Sequence, residues 1–525
     1  MTMLDQDNPI APRLNRSQAL SIGAILALAF ALRLYQLGAE SLWIDEGFSL
    51  RDAISLNVMA ETRPVYFLIL AGWLKLGPGN SEFLLRLPSV LFGAAAVWVF
   101  YAVGRRLLGA STAALASFFM AVSVLHINHS QEVRMYSLVV LTSLLSTHFL
   151  LRGLERGQLR YALGYGLFAV ATLLTFPLTA LLFAAHGLFL VLYIRRYRRA
   201  SIQLLGVQLG MAAAWVPWFI NNIHASAGYA QGYAATIPRP TALGLVTFLG
   251  KFFLWKWSDP GGPLAWGCTL FSILLAMLAL YGLTKLRRSS AHEAFVWIWL
   301  AVPAVGLMSM CYALSNMWMV HYLIFVSPAF FLIVAHALTS MTEKRMAMAA
   351  LLAISVVTLG RLAVYYTRPA RAEWRPAVRY IQEHERPGDV IGLYYAGNKF
   401  VFDYYYTGVS DWAPLGETAV AKEDFGSWDE QKVERLFRQF PTVGRRFWLV
   451  LSHHTYRGGF HIVNYVKKSY RIIDHRGYHL LEIYLFDAHG TPVPTAAYVD
   501  DQPPQEMISS SWQRTRTRDI NSNTQ

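Results

Sequence analysis

The stretch Ser41-Leu42-Trp43-Ile44-Asp45-Glu46-Gly47-Phe48-Ser49-Leu50 sets two adjacent carboxylates inside an apolar run, a few residues after a strongly hydrophobic segment ends. Its meaning depends on what surrounds it. Of the 525 residues, 55% are hydrophobic and only 15% charged, whereas a soluble chain carries roughly a quarter charged residues. That deficit marks an integral membrane protein. The 14% aromatic content, with 16 Trp, suits many helix ends at lipid–water interfaces. Cys268 and Cys311 both fall in apolar segments and give neither metal spacing nor a disulfide framework.

Apolar spans of roughly 17–25 residues can cross a bilayer. Such runs lie at 18–36, 87–104, 109–127, 137–153, 160–176, 178–194, 202–220, 263–284, 294–314, 320–339 and 346–364. Between them stand basic groups: Arg13 and Arg16; Arg105-Arg106; Arg152, Arg156 and Arg160; Arg195-Arg196-Tyr197-Arg198-Arg199; Lys285, Arg287 and Arg288; and Lys344-Arg345. These occupy alternate connections from the N-terminus onward, as the positive-inside rule asks of about eleven helices with a cytoplasmic start. The formal charge of +14 is therefore read as membrane topology and not as a nucleic-acid surface. Arg33 interrupts the end of the first span, and no small-residue cleavage site follows, so that span reads as a retained helix.

Four pieces fall on the opposite, external side. Loop 37–86 carries the acid pair, and its segment 64–75 is apolar but too short to span, which predicts an interfacial helix. Loop 126–136 reads HINHSQEVRMY, and loop 221–262 carries Tyr229, Tyr233, Arg239, Lys251 and Lys256. From about 365 onward charges, turns and short β-rich runs replace the long spans. A helix is expected near 372–386, then a turn at Pro387-Gly388-Asp389, then strands at 389–394, 446–452, 469–474 and 479–486. The fold class is thus a polytopic α-helical membrane protein over 1–364, with an extracytoplasmic α/β domain over 365–505 and a disordered tail over 506–525.

Neighbouring residues of a helix or turn point in different directions, so Asp45 and Glu46 need not act together. They read either as a solvated pair or helix-terminal anions, or as a site, since ionisable groups tucked against a membrane are costly. Glu132 and Arg134 form either a local ion pair or part of the same site. His126 and His129 lack zinc-ligand spacing, and His321 beside Tyr322 reads as a packing or hydrogen-bonding residue. Without a P-loop or dinucleotide fingerprint, a nucleotide-driven pump is excluded.

Taken in order, LWIDEGFSL, SEFLLRLPSVLFGAAAVWVFYAVGRRLLG, HSQEVRMYSL, HYLIFVSPAFFL, EWRPAVRYIQEHERPGDVI and FDYYYTG resemble the bacterial GT-C glycosyltransferases related to protein O-mannosyltransferases and to the lipid A aminoarabinose transferase. These are polytopic enzymes that use a polyprenyl-phosphate-linked sugar. Two departures stand out. The family's His-Pro-Pro-hydrophobic-Tyr run is here Thr62-Arg63-Pro64-Val65-Tyr66, and its Arg-Tyr pair near the tenth span is His321-Tyr322. The sugar and the acceptor, whether lipid, protein or polysaccharide, stay open.

The resemblance implies a membrane glycosyltransferase, with inversion at the anomeric carbon. It implies Asp45 as general base, Glu46 as a helper in acceptor positioning or metal binding, and Glu132 as a further acid of the site. Arg134 would hold the donor phosphate, with Arg63, Lys75 and Arg86 as weaker candidates. Trp43, Tyr66, Tyr136, His129, His321 and Tyr322 would line the substrate pocket. A divalent metal (Mg, Mn, Ca or Zn) on Asp45 and Glu132 is an implied cofactor. The implied partners are the bilayer and the lipid-linked donor, and the implied location is the bacterial inner membrane. The competing reading is a lipid or solute transporter or flippase. It would predict repeat symmetry and broken central helices, which the sequence does not convincingly show.

Overall fold

Apolar runs in lipid must pair their own backbone N–H and C=O groups, and helices do so. The computed structural model describes residues 14–55, 63–77, 79, 81–223, 239–255, 263–286, 290–313, 318–394, 396–415, 431, 433–434, 446–452 and 458–487. In chain order come α1 (Arg16–Leu34), α2 (Ile44–Ile54), α3 (Pro64–Lys75), α4 (Glu82–Leu108), α5 (Ala110–Val122) and α6 (Val124–Ser130). Next are α7 (Tyr136–Arg156), α8 (Leu159–Leu173), α9 (Ala180–Leu192), α10 (Arg198–Ile223) and α11 (Ala242–Leu254). The helical part closes with α12 (Pro263–Lys285), α13 (Ala291–Ala313), α14 (Ser327–Ser340) and α15 (Lys344–Thr367).

All eleven apolar runs fall on helix. Among the described residues seven helices (α1, α4, α7, α10, α12, α13 and α15) are long and apolar enough to cross a membrane, and the bent pair α5–α6 brings the number to eight. Helices α8, α9 and α14 have 15, 13 and 14 residues, short of the roughly 20 that a straight crossing takes. The α14 helix is apolar on every side and almost wholly buried, as expected of a helix inside a bundle. Helix α3 occupies the segment read as interfacial.

The α5–α6 pair bends by 58° at Ser123. A break of that kind leaves carbonyls at the end of α5 without helical donors. Buried Arg33 supplies them. Its Nη1 donates to Ala121 O (3.1 Å) and Ala29 O (3.0 Å), its Nη2 to Met120 O (3.3 Å) and its Nε to Ser130 Oγ (3.1 Å). The bend aims α6 and the acidic loop after it at the first loop. Gly93 makes room, because a Cβ there would lie 2.1 Å from Ser130 Oγ.

Beyond α15 the chain forms α16 (Trp374–His384), β1 (Val390–Tyr394), α17 (Lys399–Tyr405), β2 (Asp411–Pro414), β3 (Arg446–Ser452), α18 (Gly458–Ser469), β4 (Arg471–Tyr478) and β5 (Leu481–Asp487). The sheet order is β2-β1-β3-β5-β4. Strand β1 runs parallel to β2 and β3, with Val390 opposite Phe447, and β5 runs antiparallel to β3 and β4. Strands β1 and β3 are buried nearly throughout, as parallel strands covered on both faces should be. Helix α16 buries Trp374, Ala377, Val378 and Ile381, the spacing of one helical stripe. Strand β4 starts two residues later than expected and runs four longer, and β2, only four residues, was not anticipated. The tail 506–525 and much of loop 221–262, including Tyr229, Tyr233 and Lys256, lie outside the described residues, as do Arg13, Arg287 and Arg288.

Candidate active site

Helix α2 begins at Ile44, so both acids of the opening stretch sit in its first turn, where carboxylates oppose the positive end of the helix dipole. Consecutive positions are rotated by about 100°, and the two side chains part company.

Glu46 turns inward and is fully buried. Its Oε1 accepts from Arg86 Nε at 2.8 Å and Val133 N at 2.9 Å, and its Oε2 from Arg86 Nη2 at 2.8 Å and Trp43 N at 3.2 Å. The rest of the guanidinium donates to Leu37 O (2.9 Å), Glu40 O (2.9 Å) and Ser41 O (3.0 Å). All five N–H groups of Arg86 are thereby used. Burial alone would raise the Glu46 pKa, but the charges of Arg86 and Arg371 and the hydrogen bonds from Arg86 and Val133 hold it below the usual carboxylate range. The expectation that Arg86 meets a donor phosphate, and Glu46 an acceptor or metal, therefore meets a different arrangement. The two residues are each other's partners, and together they tie both acidic loops to α4.

Asp45 turns the other way. Its side chain is 36% exposed, and Oδ2 lies 3.4 Å from Arg134 Nη2. Arg134 Nη1 donates to Asp45 O (3.2 Å) and Ser49 Oγ (3.3 Å), while its buried Nε has no hydrogen-bond partner. Burial works against the Arg134 charge, but Asp45, Tyr136 and Glu132 outweigh it and raise its pKa. The guanidinium lies 5.9 Å from the Tyr136 ring centre. Tyr322 lies within the electrostatic reach of Asp45, Arg134 and Arg63.

The other expected residues divide into near and far. Arg63 caps the start of α3, its guanidinium 5.7 Å from the Phe67 ring. Tyr66 is buried with its hydroxyl on the Ser89 side chain. Trp43 precedes α2, and its indole Nε1 is buried without a partner. His129, Tyr136, His321 and Tyr322 form one run of touching rings, with centroid separations of 4.6 Å (129–136), 5.1 Å (136–321) and 4.6 Å (321–322). Lys75 is not brought in. It is exposed at the last turn of α3, about 18 Å along the helix from Arg63.

Glu132 is also buried. Its Oε1 accepts from Asn128 Nδ2 at 2.7 Å, its Oε2 pairs with His129 Nδ1 at 3.0 Å, and Arg371 Nη2 lies 3.8 Å from Oε1. Burial would raise the Glu132 pKa, but His129, Arg371 and the hydrogen bonds bring it down to about 2. Both oxygens are thus occupied by protein groups, and no group of three or more His, Cys, Asp or Glu among the described residues is placed to hold a metal ion. Asp45 and Glu132 as placed do not form a cation cage.

Arg371 was not anticipated from sequence. It follows α15 and reaches back into the helical part, donating to Gln131 O at 2.9 Å and pairing with Glu40 at 3.6 Å. The four arginines at 368, 371, 375 and 379, in a segment that the sequence reading places outside, where the positive-inside rule disfavours them, were the available signal. Trp255 at the end of α11, 5.9 Å from His129, gave no signal beyond an aromatic in a loop.

Helices spanning a membrane, a broken helix that carries an acidic loop, and a small mixed sheet after the last span define a class, the GT-C architecture. Residues 61–220 match the family model described as dolichyl-phosphate-mannose-protein mannosyltransferase. The apo structure of ArnT from Cupriavidus metallidurans is similar over 90% of this chain and 99% of that one, at a TM-score of 0.56 and 14% identity. The same protein bound to undecaprenyl phosphate matches over 88% and 97%, at 0.54 and 15%. The Archaeoglobus fulgidus oligosaccharyltransferase in its apo form matches over 88% of this chain and 74% of that one, at 0.51 and 12%. No curated protein sequence matches the chain. The chain thus shares the fold of these structures, and residues 61–220 carry the match to the mannosyltransferase family model.

Proposed function

We propose that the protein transfers a sugar from a polyprenyl-phosphate-linked donor to an acceptor hydroxyl at the extracytoplasmic face of a bacterial inner membrane, with inversion. The observation that carries this reading is the Asp45–Arg134 pair. It is an accessible carboxylate touching a buried, charged guanidinium that still has a free N–H, beside a wall of aromatic rings. Undecaprenyl phosphate bound to a protein of the same fold supports a lipid-linked donor. The alternating basic connections support an N-terminus in the cytoplasm and a sheet domain, from about residue 365, on the far side.

In the proposed reaction the acceptor oxygen attacks the anomeric carbon while the bond from that carbon to the phosphate oxygen breaks. The electron pair stays on the phosphate, and the hydroxyl proton passes to Asp45. Arg134, helped by Arg63, offsets the charge that grows on the leaving phosphate. Glu46 and Arg86 keep α2 in place. General-base removal typically costs 10²–10⁴ in rate. Asp45→Asn should therefore lose about a thousandfold in transfer, yet elute as a folded protein and still bind undecaprenyl phosphate. Transfer by that variant at wild-type rate, with a purified sugar-linked donor, would remove Asp45 from the mechanism.

A further inference from the structure

The ring cluster contains one atom the proposed chemistry leaves idle. His129 is almost completely buried, and its Nδ1 faces Glu132 Oε2 at 3.0 Å. Its Nε2 is buried with no hydrogen-bond partner. Glu132 takes Asn128 Nδ2 and the Arg371 guanidinium on its other oxygen, as an ionised carboxylate does. A carboxylate can only accept from Nδ1, so the imidazole hydrogen sits there. That leaves Nε2, on the far side of the ring, as the atom without a partner. Buried polar atoms are normally satisfied, so a ring nitrogen held in this way awaits a polar partner such as a hydroxyl, which can both donate and accept.

The surroundings narrow what that partner belongs to. Tyr136, His321 and Trp255 stand around the imidazole at centroid distances of 4.6, 5.7 and 5.9 Å, all tilted or edge-on to it. Trp255 holds its place with φ +60° and ψ −97°, a conformation that residues with a side chain rarely adopt and that gathers at functional sites. Tyr136 also borders the Arg134 guanidinium, which meets Asp45. One ring therefore separates the proposed phosphate and base groups from His129 Nε2. Aromatic faces for C–H surfaces, with a single fixed polar atom for a hydroxyl, suit a pyranose or furanose ring.

We infer that His129, oriented by Glu132 and walled by Tyr136 and Trp255, binds the transferred sugar of the donor through a hydrogen bond between its Nε2 and one of the sugar hydroxyls. His129 is thereby a specificity residue for the sugar, and not a ligand of the phosphate. This rests on the transferase reading above.

The test compares the full chain's affinity for bare undecaprenyl phosphate with that for the same lipid phosphate carrying mannose, aminoarabinose or an N-acetylhexosamine. Wild type should bind at least one sugar-linked form about five- to tenfold tighter than the bare lipid, the weight of one buried hydrogen bond. His129→Phe, which keeps a ring but lacks Nε2, should erase that increment and hold the bare-lipid affinity. Glu132→Gln puts an amide where the carboxylate had fixed Nδ1–H, and so removes what orients the ring. It should erase the increment as well, and it serves if the phenylalanine variant fails to fold. An increment that survives both changes means Nε2 meets only water, and overturns the inference. Equal loss of bare and sugar-linked binding also overturns it, as does a wild type that binds every sugar-linked form no better than bare lipid. Asp45→Asn should keep the full increment while losing transfer, so failure of the base assignment and failure of the sugar contact are read separately.

Discussion

Replacing Glu46 by Gln tests the claim that adjacent acids of one helical turn have opposite roles. The carboxylate takes four hydrogen bonds, two of them from Arg86, and neither side chain meets solvent. A glutamine keeps the shape, and its oxygen can still face Arg86 Nε and Val133 N. Its NH₂ would then point at Arg86 Nη2 and Trp43 N, two donors against a donor, while the Arg86 charge loses its counter-ion. Breaking a buried ion pair by removing one partner typically costs about 3–5 kcal/mol. At roughly 2 °C per kcal/mol for a large domain, the unfolding midpoint should drop by about 6–10 °C. Asp45→Asn removes one contact at 3.4 Å on a side chain 36% exposed. Solvent screening keeps such a pair below about 1 kcal/mol, so its midpoint should move by no more than about 2 °C. Scanning fluorimetry of both variants in one detergent, with transfer assayed in parallel, gives the comparison. The reasoning is refuted if Glu46→Gln melts with wild type, or if Asp45→Asn melts as early as Glu46→Gln.

Other outcomes follow from the same contacts. Gly93→Ala places a Cβ 2.1 Å from Ser130 Oγ and 3.0 Å from Arg33 Nε; overpacking should cost about 1–3 kcal/mol, visible as a lowered melting midpoint. Glu132 is held at about 2, against 4.5 for an unperturbed glutamate. Its stabilisation, roughly 3 kcal/mol, is full above the unfolded value and fades as pH falls from 4.5 toward 2. The midpoint should hold through neutral pH and drop in acid, and a Glu132→Gln chain should show a shallower acid fall. Arg371→Gln strips buried Glu132 of its nearby guanidinium and Gln131 O of its donor; with contacts longer than those of Arg86, the cost should be about 2–3 kcal/mol, seen as earlier melting.

The helical ground plan was legible because a bilayer forces apolar runs to be long and contiguous, and all eleven runs lie on helix. Their lengths were less legible. The runs at 160–176, 178–194 and 320–339 became helices of 15, 13 and 14 residues, and composition cannot tell a full crossing from a helix buried among others, as α14 is. In the candidate site, the structure brings the two motif-bearing loops together, but the motifs do not say which way each side chain turns. That choice depends on partners 40 or more residues away, such as Arg86 for Glu46 and Val133 behind it. Arg33 shows the same limit. In sequence it interrupts a hydrophobic span, and in space it closes the carbonyls exposed by the break at Ser123.

The arrangement of charge explains why one acid of the opening stretch is available at all. Glu46 has Arg86, Glu132 has His129 and Arg371, Glu40 has Arg371, and Glu82 has Arg375. Each of these acids is tied by a contact that also joins two separate parts of the chain or fixes a loop. Among the described residues, Asp45 has only Arg134 as an ion-pair partner, at 3.4 Å. Nη1 of that guanidinium is spent on Asp45 O and Ser49 Oγ, and its Nε is left over. A general base must be ionised yet able to take a proton, and a carboxylate with four hydrogen bonds can do the first but not the second. Arg371, which enters from the segment leading to the sheet domain, pairs with Glu40 and Glu132. Glu132 also acts on the Arg134 charge, so the linker of the sheet domain, more than 300 residues further along the chain, helps set the charge around the Asp45–Arg134 pair.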